Sequence, residues 1–146
     1  MDAIATDHAP NTVVAKTVEF GDAANGISGL ETAIGQLLAA VDAGVLDLLT
    51  VARALTVGPS RVLSTAGASG GASGDGPTAG TLPGSGLVVG GLADLVLVDR
   101  ESSWSVEAST LRTRGHNTPL LGRQLPGRVM TTIAAGRWAW RDESIG

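Results

Sequence analysis

The sequence predicts a mixed α/β chain, on three observations. A short apolar run, Ile4-Ala5, climbs into Thr6-Asp7-His8 and meets Pro10, the pattern of a strand that ends in a loop. Two stretches in the first half carry apolar residues at helical spacing. The second half holds β-rich runs at 95–98 and 128–142, punctuated by glycine.

The elements follow in order. Residues 2–6 read as a short buried strand, and 8–28 as a long irregular loop with a turn signal at Asn25-Gly26. Ser28 and Glu31 stand at capping-box spacing and open a helix over 29–44. Its apolar stripe is Leu30, Ile34, Leu37, Leu38 and Val41, and Gly44 is its expected stop. Asp47 caps a second helix over about 48–56, and Pro59 sits near the start of a further short helical turn at 58–63. Residues 65–86 are Gly/Ser-rich, a composition that gains little from burial and reads as a flexible insertion. Val88-Val89 and Leu95–Val98 read as strands, 104–107 as another, and 128–142 as a hairpin turning at Ala135-Gly136.

Composition narrows the function. The chain has 146 residues, 43% of them hydrophobic, so it can bury a core. Its net charge of −4, with scattered basic residues, argues against a nucleic-acid surface. It has no cysteine, which excludes disulfides and thiolate chemistry. No apolar run reaches the roughly 18 residues of a membrane span, and no signal-peptide pattern opens the chain, so a cytoplasmic location is expected. Aromatic residues make up only 3%, thin for an independent core of this size.

Three side chains could carry chemistry. Asp7 is an acid at the C-terminal tip of an expected strand, the place where α/β barrels put catalytic groups. The same Asp could equally cap its own loop. His8 follows it, but neighbours on a strand point to opposite faces, which favours a packing or loop-bonding role. His116 lies in a Pro/Gly-punctuated stretch and reads as structural. HxH, HExxH and carboxylate clusters are all absent, and one Asp cannot hold a catalytic metal that needs about three protein ligands.

Several motifs, in order and at their spacing, resemble the type I dihydroorotases of the amidohydrolase superfamily. They are "ATDHAP" (5–10), "EF" (19–20), "NGISGLETA" (25–33), "GLADLVLVD" (91–99) and "NTPLLGRQLPGRVMTTIAAGR" (117–137). The resemblance implies the C-terminal part of a (β/α)8 amidohydrolase barrel plus the C-terminal strands of a small β-sandwich. Residues 1–64 would end the barrel, with 2–7 as its eighth strand and 29–44 as its last helix. Residues 65–86 would be an insertion, and 87–146 would belong to the sandwich. The earlier barrel strands, with their HxH motif and further histidine ligands, have no counterpart here.

For single residues, the resemblance implies that Asp7 binds metal and acts as general base and acid. Asn25 and Gly26 match backbone positions that contact the dihydroorotate ring. Asn11 matches a family histidine that helps bind the substrate carboxylate, and Asn carries no charge for that task. Weak dihydroorotate binding, another substrate or lost activity is therefore expected. The implied cofactor is Zn2+ in the complete enzyme. The implied partners are dihydroorotate and carbamoyl aspartate, with a homodimer or an association with aspartate carbamoyltransferase as further expectations. Two functions follow: a cyclic amide hydrolase whose isolated C-terminal part is inactive, or a non-catalytic structural partner of aspartate carbamoyltransferase.

Overall fold

The computed structural model describes residues 1–69, 87 and 89–143. The described chain contains four helices, α1 (Val13–Lys16), α2 (Ala33–Asp42), α3 (Leu48–Leu55) and α4 (Val57–Ser69), and three strands, β1 (Leu95–Ser105), β2 (Gln124–Ala134) and β3 (Arg137–Arg141). The strands form one sheet in the order β1-β2-β3. Two compact units divide the chain: Met1–Ile4, Gly44–Asp99 and Val129–Gly146 make one, and Ala5–Ala43 with Arg100–Arg128 make the other.

In the first unit, α3 and α4 pack together and bury Val51 and Ala54. Helix α3 begins where Asp47 accepts hydrogen bonds from the Thr50 amide at 2.9 Å and the Thr50 hydroxyl at 2.5 Å. Those two bonds, the hydroxyl's foremost, hold the Asp47 carboxyl below the ordinary aspartate range. The cap is therefore fully formed above the usual aspartate pKa and is lost as pH falls through the lowered one. Strands β2 and β3 form the expected hairpin, with Thr131 opposite Arg141 and Ala134 opposite Arg137. Its two-residue turn has positive φ at both Ala135 (+49°) and Gly136 (+75°), the type I′ geometry that matches strand twist. Both turn amides find acceptors, Ala135 at Asp94 Oδ1 (2.7 Å) and Gly136 at the Ala93 carbonyl (2.9 Å). The ladder shifts register between Thr132 and Ile133, and Ala139 is the extra residue.

In the second unit, Val106, Leu111 and Leu125 form the core, with Trp104 and Leu120 packed against it. Gly35 of α2 sits so close to Leu125 that a Cβ there would lie 2.9 Å from the leucine Cβ. Leu38 is the buried member of the α2 stripe, and Gly44 beyond its end has φ +71°. A left-handed glycine just past the last turn is the expected stop.

Five expectations need correction. Residues 2–7 form no regular strand and are mostly exposed. A strand exists through neighbours that pair its backbone. Here Ile4 donates to the Ala54 carbonyl at 3.0 Å, and an isolated parallel bridge joins His8 to Ile27. The loop at 8–28 is not wholly irregular, because Thr12 caps the single turn α1. The Ser28–Glu31 capping box does not form, and α2 starts at Ala33, since both side chains bond to residues far along the chain. Residues 95–98 and 104–107 belong to one strand, β1, that ends at Ser105. Helix α4 also continues through Ser69, past the turn expected at 58–63. From residue 70 on, the stretch expected to be flexible lies outside the described residues, as does Val88, while Val89 is in a turn.

Candidate functional site

Asp7 is exposed, and its backbone has φ +43°. That left-handed conformation is uncommon for a residue with a side chain, though Asp is among those that adopt it. His8 points elsewhere. Its Nδ1 accepts hydrogen bonds from the amides of Gly29 (3.2 Å) and Leu30 (3.1 Å), which open the turn before α2. The loop-bonding role expected of His8 is therefore what the geometry shows.

Asn11, Asn25 and Gly26 come together in the second unit. The Asn11 amide nitrogen Nδ2 donates to the carbonyls of Ala9 (3.2 Å) and Asn25 (3.0 Å). Gly26 has φ +98°, and a Cβ there would lie 2.4 Å from the Ala9 Cβ, so only glycine fits this approach.

Asn117, which the sequence reading did not single out, ties these pieces together. Its Oδ1 accepts from the Asn11 backbone amide at 2.7 Å and from the Ser28 hydroxyl at 2.9 Å. Its Nδ2 donates to the carbonyls of Ala9 at 3.2 Å and Gly26 at 3.1 Å. Ser28 is buried and also bonds to the Gly115 carbonyl, and its amide donates to the Asn117 carbonyl at 3.1 Å. Glu31 accepts from the amides of Arg112 (2.8 Å) and Thr113 (2.9 Å). Gly115 packs so tightly that a Cβ would come within 2.8 Å of Pro10 and Asn11. His116 takes part through its carbonyl, which accepts from Thr118 at 2.8 Å. The partners of Asn117 lie 89 to 108 residues away, so no local pattern points to it.

The arrangement can fix a loop backbone firmly. It does not assemble a metal centre: among the described residues no three His, Asp or Glu side chains stand together as ligands. A cavity of about 460 Å³ lies in the first unit, lined in part by Arg53, Val57 and Arg61, and none of the predicted site residues lines it.

No protein-family model matches the chain. Similar proteins do. A dihydroorotase of Anaeromyxobacter dehalogenans is 43% identical over 137 residues, which cover 94% of this chain and 28% of that protein. A dihydroorotase of Syntrophus aciditrophicus is 37% identical over 143 residues, 98% of this chain and 30% of that protein. Over nearly its whole length, this chain resembles a dihydroorotase. A solved D-hydantoinase structure matches with a TM-score of 0.73 at 19% identity, over 97% of this chain and 28% of that one. That likeness shows the fold, a mixed α/β arrangement also found within that D-hydantoinase. The dihydroorotase-like chain spans less than a third of the length of the relatives it matches. None of its described helices is long and apolar enough to cross a membrane.

Proposed function

We propose that this chain is the C-terminal part of a cyclic amide hydrolase of the dihydroorotase class. The reaction opens the dihydroorotate ring to N-carbamoyl-L-aspartate, or closes it in reverse. The observation that carries this reading is 43% identity to a dihydroorotase across 94% of the chain. In this reading residues 1–64 end the catalytic barrel and 87–146 belong to the small sandwich.

Asp7 is the residue for proton transfer. Its carboxylate takes a proton from the attacking water and returns it to the ring nitrogen as the amide C–N bond breaks. Asn25 and Gly26 present their backbone to the substrate ring, on a turn whose carbonyls are held from behind. A zinc ion, the metal implied by the resemblance, needs ligands beyond Asp7, and the described residues do not bring three together. The chain by itself is therefore proposed to be inactive.

The test is steady-state hydrolysis of dihydroorotate by the full-length protein that carries this segment, with Asp7→Asn beside it. Loss of general acid–base catalysis is expected to lower kcat by about 100-fold or more with little change in KM. Turnover that survives Asp7→Asn intact overturns the assignment of Asp7. Absence of turnover in the unmodified protein overturns the dihydroorotase reading.

One observation favours a second reading. Asn11 stands where the resemblance places a substrate-binding histidine, and its amide is spent on the carbonyls of Ala9 and Asn25. A non-catalytic partner of aspartate carbamoyltransferase fits that loss. Co-purification with the transferase, in a protein without turnover, is the result that supports it.

A further inference from the structure

We propose that Asn117 is a positioning residue that sets the orientation of the Asn25-Gly26 turn without touching the substrate. The inference rests on the dihydroorotase reading and adds a residue to it.

Four consecutive carbonyls of the turn are each held by a different group. Lys16 Nζ donates to Ala24, Asn11 Nδ2 to Asn25, Asn117 Nδ2 to Gly26, and the Ala9 amide to Ile27. A peptide is planar, and its N–H points opposite to its C=O. Fixing the carbonyls of residues 24 to 26 therefore fixes the direction of the N–H groups of Asn25, Gly26 and Ile27. Among these holders, Asn117 has the widest reach. A side-chain amide has two donor hydrogens and two acceptor lone pairs. Asn117 uses both donors, on Ala9 and Gly26, and its oxygen accepts from the Asn11 amide and shares the single Ser28 hydroxyl hydrogen with the Gly115 carbonyl. It thus bonds to both sides of the loop that leaves Asp7, and it also orients Asn11, the holder of the neighbouring carbonyl.

Neither substitute of similar or smaller size keeps this pattern. Asp keeps the acceptors but loses both donors, and Ala loses donors and acceptors alike. Gly26 sits at φ +98° in a close approach to Ala9, a conformation that the surrounding bonds must hold.

The test uses the full-length protein with Asn117→Ala and the milder Asn117→Asp, so that one folded variant remains if the other fails. Amide exchange at Ala9, Asn11 and Ser28, whose N–H groups donate to the Ile27 carbonyl, the Asn117 side chain and the Asn117 carbonyl, is measured beside steady-state kinetics with dihydroorotate. Exchange at those amides is expected to rise about tenfold or more, while the β2–β3 hairpin stays as protected as before. KM is expected to rise about tenfold with kcat within about threefold. A merely structural role would lower the active fraction, and so kcat, with KM unchanged. A KM within about twofold of the unmodified protein, in a protein that turns over, overturns the positioning role. Absence of turnover in the unmodified protein overturns the dihydroorotase reading instead. Amide exchange needs no substrate, and unchanged exchange overturns the claim that Asn117 holds the turn.

Discussion

At the scale of single residues, His8 carries the sharpest structural claim. Its Nδ1 is the acceptor for two amides, Gly29 and Leu30, and Gly29 is buried. His8→Ala leaves those donors without a partner. A buried donor so stranded costs about 1–3 kcal/mol, and the exposed Leu30 amide can turn to water, so a loss near the lower end is expected. His8→Asn places an amide oxygen close to where Nδ1 sits and is expected to recover most of that loss. Thermal unfolding of the three proteins checks this, and equal melting points for the Ala and Asn variants would refute it. Asp7 next to it has a left-handed backbone, φ +43°, and an exposed side chain. The two adjacent polar residues "DH" thus split their work, one toward exposure and one toward the turn before α2.

At the scale of elements, what was legible in the sequence was what is decided locally. Asp47 and Gly44 mark helix ends through bonds or backbone angles within four residues, and both act as expected. The hairpin turn at Ala135-Gly136 is also local, and it forms where the pattern placed it. Ser28 and Glu31 had the right spacing for a capping box, yet partners 81 to 89 residues away claim both side chains. Nothing within a short window announces such partners, which is also why Asn117 was missed. The resemblance to dihydroorotases was legible because motifs keep their order and spacing even when local physics does not explain them. The hairpin offers a test at this scale. Ala135 has φ +49°, and a left-handed conformation costs an ordinary residue roughly 1–2 kcal/mol. Asn tolerates that conformation, and Asn-Gly is the favoured pair for this turn type. Ala135→Asn is expected to stabilise the protein by about 0.5–1 kcal/mol, read as a higher urea midpoint at unchanged slope. The bond from the residue 135 amide to Asp94 uses only backbone N–H and is retained. A lower midpoint would mean that the turn is held in place by something other than its own backbone preference.

At the scale of the whole molecule, the decisive fact is how much apolar surface faces outward. Phe20 is 99% exposed and Val14 76%, both in the loop after Asp7. Leu49 of α3, Leu63 of α4 and Val96 and Leu97 of β1 are exposed as well. Single exposed hydrophobics are ordinary, but several on each packed element leave faces that a stable monomer seldom shows. Among the described residues the core is small, which fits the same picture: Leu38, Val106, Leu111 and Leu125 with two partly buried neighbours in one unit, Val51 and Ala54 in the other. The chain matches only 28% of the length of its dihydroorotase relative, so a protein of that length has ample chain to cover these faces. The 146 residues expressed alone are therefore expected to bind a hydrophobic dye such as ANS and to sediment as more than a monomer at micromolar concentration. On the proposed reading, a longer dihydroorotase-like protein carrying the same segment is expected to bind far less dye per chain. The comparison separates two causes of poor behaviour. If the exposed faces are the cause, replacing Leu49 and Leu63 by Gln lowers both dye binding and association of the short chain, while in the long chain the same changes reduce stability. If the short chain is instead a dye-silent monomer, its apolar faces are closed in solution and the need for covering elements falls away.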